Sequence, residues 1–373
     1  MMKNRVILKN GYAVDPETLT IEKRDIAILD GKFEKLEVLL QFEDIEVIDI
    51  KGSYVAPGFI DLHVHVFKDY TELGIDPDLI GIQQGVTTIV DAGSAGAQNY
   101  STFKETVIDH SKTEILSFLN ISRKGLCHGL SELSNLEDLM TIEEAKEMKN
   151  NPSIVGLKAR MSGSVVKESG IKPLEHAREV ADQLDFPIMV HIGNPPPNLT
   201  EIFPLLKKGD IVTHAFHGKK HGILSDSGEM IHEAFEALER GVCFDVGHGT
   251  SSFSYETLKK FKSKYNYPFT VSTDIYLKNY KKPVGSLMQT MSKLLELGYP
   301  LEVLVKKVTK DAANTIRLSD QGTFKVGTRA DVTVFEIIDG NETLIDSEGK
   351  ELHCKKLLKP NLTIREGKVV FKK

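Results

Sequence analysis

Two histidines at the end of an apolar stretch are the first residues whose spacing suggests chemistry. His63 and His65 follow Phe59-Ile60-Asp61-Leu62, a run typical of a buried β-strand. Side chains at positions i and i+2 of a strand point to the same face. Two buried imidazoles are costly unless something binds them, because their nitrogens lose contact with water. The pattern favours a metal ion as the partner, and two hydrogen-bonded core histidines are the alternative.

Four later apolar stretches each carry one ionisable residue near the C-terminal end. These residues are Lys158 in 154–161, His191 in 187–193, His214 in 210–216 and Asp274 in 268–275. Each of these residues alone could be a hydrogen-bonded core residue or the cap of a loop. The same placement near the end of four different strands is not expected by coincidence, so we interpret the residues as one site. Neutral imidazoles, a carboxylate and a water position are what a hydrolytic metal site needs.

Lys158 needs its own explanation, because it interrupts a buried run. Burial and nearby cations both lower the pKa of an amine and favour its neutral form. A neutral amine adds CO2 to become a carbamate, whose negative charge and two oxygens can bridge two metal ions. We therefore predict a carboxylated Lys158; a surface lysine in a misread strand is the alternative.

The elements that must position these residues alternate between strands and helices. Eight strand candidates lie at 58–66, 86–92, 114–121, 154–161, 187–193, 210–216, 242–247 and 268–275. Most are continuous apolar runs, as in strands buried on both faces, and amphipathic stretches separate them. The pattern predicts an α/β fold with a (β/α)8 TIM-type barrel over 57–319 and a site at the C-terminal ends of its strands. A doubly wound open sheet is the alternative, although no Gly-x-Gly-x-x-Gly follows a strand.

The two chain ends read as short strands and turns. Asn10-Gly11 and Asp30-Gly31 are turn signals between such strands, and a hairpin is predicted over 362–371. We predict that 1–56 and 320–373 form one small β-sandwich domain, interrupted in sequence by the barrel.

The composition of the 373 residues restricts the partners. Lysine and arginine number 47 against 53 acidic residues, a net charge of −6, and no basic stripe is present. This balance argues against nucleic acid and anionic membranes as partners. The three cysteines predict no disulfide framework, the apolar run after residue 5 is too short for a signal peptide, and no run approaches a membrane span. A small-molecule substrate and a cytoplasmic location are expected.

Several motifs resemble the amidohydrolase superfamily, in its dihydroorotase- and dihydropyrimidinase-like branch. They are PGFIDLHVH at 57–65, GVTTIVD at 85–91 and GTFKVGTRAD at 322–331. A closer resemblance is to the bacterial amidohydrolase/deacetylase family. It rests on DAGSAGA at 91–97, NIS at 120–122, GLKAR at 156–160, VHIGNPPP at 190–197, THAFHG at 213–218, FDVGHG at 244–249 and STD at 272–274. Some members of that family carry the labels adenine deaminase or dihydroorotase.

The resemblance implies two divalent metal ions, with zinc expected, and a ligand for every position. His63, His65 and Asp274 would bind the more buried ion, His191 and His214 the other, and Lys158 would bridge them as its carbamate. A bridging hydroxide would attack the substrate carbonyl, with Asp274 as general base and then general acid. Because every ligand position is filled, a metal-free structural homologue is the disfavoured alternative.

Four more residues are candidate substrate contacts. Arg160 lies two residues after Lys158 on the same face and could hold a carboxylate, with a structural ion pair as the alternative. His248, between two glycines after the seventh strand, is expected to donate a hydrogen bond at the mouth. His217 and Asn194 lie on loops at the same rim.

The function predicted from these residues is hydrolysis of an amide or ester, by removal of the acyl group from a small N-acyl or O-acyl compound. A cyclic amidase acting on a ring imide and a purine (adenine) deaminase are the alternatives. The resemblance also implies a homo-oligomer, a dimer or larger.

Overall fold

The computed structural model describes residues 4–373; residues 1–3 of the predicted sandwich lie outside the described part. The chain ends form two sheets. The first contains β1 (Arg5–Lys9), β4 (Ile26–Leu29), β5 (Lys32–Glu34) and β6 (Glu46–Asp49). The second contains β2 (Tyr12–Asp15), β3 (Thr20–Lys23), β7 (Tyr54–Pro57), β16 (Val332–Ile345), β17 (Glu351–Arg365) and β18 (Lys368–Lys372).

One apolar layer joins the two sheets. Val6 and Ile28 of the first sheet lie in the same buried cluster as Val55, Val332 and Ile364 of the second. Strands from both chain ends therefore share one core, in the manner of a β-sandwich. This confirms the prediction that both ends build one β-structure beside the barrel.

The middle of the chain forms an eight-stranded parallel sheet whose strands follow one another in sequence order. They are β8 (Phe59–Val64), β9 (Val86–Ala92), β10 (Glu114–Asn120), β11 (Ile154–Met161), β12 (Ile188–Ile192), β13 (Ile211–Thr213), β14 (Cys243–Asp245) and β15 (Phe269–Thr270). A parallel bridge between Val64 and Ile275 connects the last strand region to the first. The TIM-type barrel is thereby confirmed and the open doubly wound sheet is excluded.

The later barrel strands end earlier than predicted. β13 stops at Thr213, where the prediction continued to residue 216, and β15 stops at Thr270, where it continued to 275. His214 and Asp274 have φ angles of +66° and +48°. A residue in this left-handed region cannot continue a strand ladder. These two site residues therefore lie on turns at the barrel mouth.

One short helix, α1 (Leu36–Leu39), lies between β5 and β6 of the first sheet, and the other helices follow the barrel strands. They are α2 (Pro77–Ile80), α3 (Tyr100–Thr106), α4 (Ile142–Met148), α5 (Gly163–Val166), α6 (Lys172–Leu184), α7 (Leu199–Ile202), α8 (His232–Glu239), α9 (Tyr255–Lys264), α10 (Leu287–Glu296), α11 (Leu301–Lys307) and α12 (Lys310–Thr315). Within residues 4–373, no helix is both long and apolar enough to cross a bilayer.

Candidate metal centre

His63, His65 and Asp274 meet at the C-terminal mouth of the barrel. Both histidine rings are buried, and each Nε2 lies 3.3 Å from Asp274 Oδ1. The backbone N–H of Asp274 donates to the carbonyl oxygen of His63 at 2.7 Å, which ties the eighth strand region to the first. The three side chains bring ligand atoms close enough together to hold one metal ion.

The other three predicted ligands lie beside this group. Lys158 Nζ is fully buried, 3.3 Å from His63 Nε2. The ring centroids of His191 and His214 are 4.4 Å apart, and His214 Nε2 lies 3.9 Å from Asp274 Oδ2. Six side chains from five strand regions thus surround one small volume.

Hydrogen bonds on Nδ1 determine which nitrogen of two histidines can bind a metal. The Thr213 hydroxyl donates to Asp245 Oδ2 at 2.8 Å, so its oxygen accepts the Nδ1–H of His63 at 2.9 Å. His214 Nδ1 donates to the carbonyl oxygen of Gly247 at 2.6 Å. Both rings therefore keep the Nε2 lone pair for a metal. Sequence reasoning missed Thr213 and Asp245; an acidic residue inside an apolar strand was the available signal.

Burial favours the unprotonated forms of four basic groups of the site, His63, His191, His214 and Lys158. Burial, and then the charge of Lys158, lower the pKa of His63 well below its usual value. Burial, and then the charge of His214, do the same to the pKa of His191. Burial lowers the pKa of His214 to about 3 and that of Lys158 to about 7. Unprotonated imidazoles and an unprotonated amine are the forms that metal binding and carbamate formation require.

Asp274 stays ionised in the same surroundings. Burial raises its pKa, but a hydrogen bond from His65 and the charge of His214 lower it by more, so the net pKa is below the usual value. Asp61, which sequence reasoning did not assign, accepts the hydroxyl and backbone N–H of Thr273 at 2.6 and 3.0 Å. Asp61 thereby fixes the residue that precedes Asp274.

Arg160 lies at the rim, in β11. Its Nη1 donates to both oxygens of Glu132, at 3.0 and 3.2 Å, and the Glu132 side chain is only 2% exposed. This is the ion pair that the sequence left as an alternative. Glu132 engages Nη1 alone, so the other guanidinium N–H groups can still meet a substrate. Sequence reasoning missed Glu132, which lies on the long connection after β10.

His248 is expected from the sequence to be a free hydrogen-bond donor at the mouth, and its surroundings in the structure are different. The ring is fully buried, and Lys293 Nζ lies 2.8 Å from Nε2. The other nitrogen, Nδ1, donates to the carbonyl oxygen of Gly249 at 2.9 Å. Both nitrogens are therefore used within the protein, and we assign His248 no substrate contact.

The remaining predicted rim residues differ in burial. His217 is buried, and its Nδ1 accepts the backbone N–H of Lys219 at 3.1 Å. Burial, and then the charge of Lys219, lower the pKa of His217 to about 4. Asn194 is exposed, and its backbone carbonyl oxygen accepts a hydrogen bond from the Gly163 N–H at 2.8 Å. The structure does not bring Asn194 or His217 into hydrogen-bond contact with the six ligands.

Lys219 is a rim cation that sequence reasoning missed. It lies on the loop after β13, half-buried, and makes no ion pair with any of residues 4–373. Burial lowers its pKa, and the negative charge of Asp274 acts in the opposite direction. In the sequence Gly218-Lys219-Lys220, nothing distinguishes Lys219 from a solvated loop residue. Only the tertiary structure identifies it as a cation of the rim.

Comparisons with known sequences find relatives along nearly the whole chain. A family model described as a deacetylase-like composite domain matches residues 324–370. A deacetylase of Enterococcus faecalis is 37% identical over 369 residues, covering 98% of each protein. A deacetylase of Agrobacterium fabrum is 36% identical over 340 residues, covering 90% of this chain and 83% of the relative.

Solved structures with the same fold also match nearly the whole chain. A crystal structure described as an adenine deaminase superposes with a TM-score of 0.90 and 35% identity, covering 99% of both chains. One described as a dihydroorotase superposes with a TM-score of 0.89 and 34% identity, covering 99% of this chain and 98% of the other.

Proposed function

This chain belongs to the deacetylase family of the amidohydrolase superfamily, and from that premise we propose that it removes the acyl group from a small N-acyl or O-acyl compound. The reaction is hydrolysis: water adds its oxygen to the acyl carbon, and the bond from that carbon to nitrogen or oxygen breaks. One observation carries the proposal most directly, the convergence of four imidazoles, a fully buried amine and an ionised carboxylate at the barrel mouth.

The donor set fits two divalent metal ions, and we propose zinc. His63, His65 and Asp274 would hold one ion, and His191 and His214 the other. The free Nε2 lone pairs of His63 and His214 support this assignment. When bound, two such ions supply Lewis acidity for water and for the substrate carbonyl.

Lys158 would join the two halves of the site as a carbamate. Its Nζ would form a bond to the carbon of CO2 and release one proton, which leaves one negative charge and two oxygen donors. The low pKa of the buried amine and its position beside His63 support this step. Carbon-13 NMR of protein equilibrated with labelled CO2 tests it: a carbamate signal should appear, and should be absent from Lys158→Met.

Asp274 would move the proton of the reaction. Its carboxylate is ionised at neutral pH, so it can accept a proton from the attacking water. It would then return that proton to the leaving nitrogen or oxygen. The hydrogen bond from its backbone to His63 and the fixed residue before it hold the group in place.

We propose that the substrate carries a carboxylate near its acyl group. Arg160 is the main support, because its guanidinium lies beyond Lys158 on the same strand and only one of its nitrogens is bound by Glu132. The half-buried Lys219 is a second cation near Asp274 without an ion-pair partner in the described chain. Together they favour an anionic substrate.

The function is tested by a hydrolysis screen of the zinc-loaded protein. The substrates are N-acyl amino acids, O-acyl hydroxy acids, ring imides and adenine. We expect release of a carboxylic acid from the first or second group. Ring opening alone or ammonia release alone would favour the cyclic amidase or the deaminase, the names borne by the two structural relatives.

A cytoplasmic location and a homo-oligomer remain proposals. The three cysteines are free, which suits a reducing compartment. Size-exclusion chromatography with light scattering would give the oligomeric state.

A further inference from the structure

The turn between β16 and β17 lies against the loop that follows β14. Ser347 N–H donates to the carbonyl oxygen of Phe253 at 3.0 Å, and Asp346 Oδ2 accepts the N–H of Tyr255 at 3.0 Å. The Ser254 hydroxyl donates to Glu348 Oε2 at 2.7 Å. The tip of a hairpin from the C-terminal sheet is thereby attached to a loop at the barrel mouth.

Two donors hold the carbonyl oxygen of Gly249 in this loop. His248 Nδ1 lies 2.9 Å from it, and the Ser347 hydroxyl also lies 2.9 Å from it and shares its hydrogen with the carbonyl oxygen of His248 at 3.0 Å. Because a carbonyl only accepts, the Nδ1 of His248 carries the proton and its Nε2 must accept. The donor to Nε2 is Lys293, a fully buried residue of α10 that also donates to the carbonyl oxygen of Pro283 at 2.6 Å.

The backbone of Gly249 packs directly against Asp274. Its φ angle is +55°, and a Cβ at this position would lie 2.5 Å from Asp274 Oδ2. The Gly249 N–H donates to the carbonyl oxygen of Thr273 at 2.9 Å. Hydrogen bonds therefore hold both the N–H and the carbonyl group of Gly249. The position of Gly249 limits the orientations that the Asp274 carboxylate can adopt.

We propose that Lys293, His248 and Ser347 are positioning residues that hold Gly249 against the Asp274 carboxylate. Lys293 determines the tautomer of His248, and His248 together with Ser347 anchors the Gly249 carbonyl. The inference rests on the proposed function, in which Asp274 transfers the proton. It extends that function by making the C-terminal hairpin, which contains no metal ligand, a part of the catalytic apparatus.

The first test removes and restores the Ser347 hydroxyl. Ser347→Ala should lower kcat by about five- to tenfold, the effect of one lost hydrogen bond, with KM changed by less than about twofold. Ser347→Thr keeps a hydroxyl and should restore kcat. Lys350→Ala, an exposed substitution in the same turn, is the matched control and should leave both constants unchanged.

The second test does not depend on activity. Amide hydrogen exchange of a peptide that covers 247–252 should be faster in Ser347→Ala and Lys293→Met than in the unsubstituted protein. It should be unchanged in Ser347→Thr and Lys350→Ala, and nearer to the original in Lys293→Gln, which keeps an N–H donor for His248.

The two readouts separate the possible failures. Unchanged exchange in Ser347→Ala would overturn the proposal, whether or not a substrate is known. Faster exchange with unchanged kcat would also overturn it, since the loop would then not position Asp274. If the unsubstituted protein hydrolyses no acyl compound, the proposed function fails, while the exchange data still decide whether the network holds Gly249.

Discussion

At the scale of the residue, the proposed function would give Asp274 two tasks that need different properties. As a ligand it would have to lie close to His63 and His65, and as a proton carrier it would have to keep an ionised oxygen near the reacting water. Its hydrogen bond with His65 and the nearby His214 lower its pKa enough to oppose the effect of burial. The same contacts would therefore serve both proposed tasks.

We expect Asp274→Asn to lower kcat by at least about 100-fold, because an amide cannot accept and return the proton. The amide oxygen can still act as a donor, so metal should remain bound. Steady-state kinetics and elemental analysis of the same sample check this. Asp226→Asn, on an exposed loop, is the control; a kcat near that of the unsubstituted protein would contradict the role of Asp274.

We expect Arg160→Met to raise KM for carboxylate substrates by about 10- to 100-fold, the range for a lost charge-assisted hydrogen bond. A neutral amide of the same substrate should show little change. The substitution also leaves Glu132 buried without its partner. The double variant with Glu132→Gln should therefore recover thermal stability but not KM. An equal effect on charged and neutral substrates would argue against a carboxylate contact.

At the scale of the element, the barrel strands do more than carry ligands to the mouth. Asp245 at the end of β14 accepts hydrogen bonds from Thr213 of β13, Thr270 of β15 and Ser272. Only the bond through Thr213 continues to His63. Three neighbouring strands are thereby joined beneath the site, and one of these connections orients the ring of His63.

This arrangement offers a matched pair of substitutions. Thr213→Val should weaken metal binding by about 10- to 100-fold, because His63 loses the acceptor that orients its ring. Thr270→Val removes a bond to the same carboxylate without touching His63, and should weaken metal binding much less. Titration of metal-free protein with zinc in a competing chelator measures both. Equal losses in the two variants would mean that Asp245 acts only through strand stability.

At the scale of the whole molecule, metal binding and folding should be linked. A ligand at 100 times its Kd stabilises the folded state by about 2.7 kcal/mol if it does not bind the unfolded chain. We therefore expect chelation to lower Tm by several degrees and zinc to restore it. The variant His191→Ala/His214→Ala should show a smaller response. A Tm independent of metal in the unsubstituted protein would contradict a metal centre.

Stability without metal should also depend on pH. Burial lowers the pKa of Lys307 to about 8, and that of Lys158 and Lys293 to about 7. Between pH 7 and 9 the unfolded chain binds protons that these amines do not bind in the folded state, so stability should rise with pH. Lys307→Met should flatten this rise in chemical denaturation curves, whereas Lys306→Met, at a more exposed neighbour, should not. A fall in stability over this range would contradict these charge states.

The sequence by itself determined the barrel and the residue types of the candidate site. A buried strand that contains a histidine or lysine is costly unless that group is bound, so His63, His65, Lys158 and His191 stand out against their apolar neighbours. The two-residue period of a strand places such residues on one face. The alternation of strands and helices predicts the barrel because parallel strands need long connections.

Only the tertiary structure decided which residues support the site. Glu132, Lys219 and Ser347 lie on loops or turns, where polar residues are ordinary, and nothing in their local sequence separates them from solvated neighbours. Ser347 is 98 positions from Gly249, yet packing of the hairpin brings the two into contact. The sequence neighbours of His248 predict a place at the mouth, but the buried Lys293 of a later helix forms a hydrogen bond with its Nε2. Long-range packing determines these contacts, and strand periodicity contains no information about it.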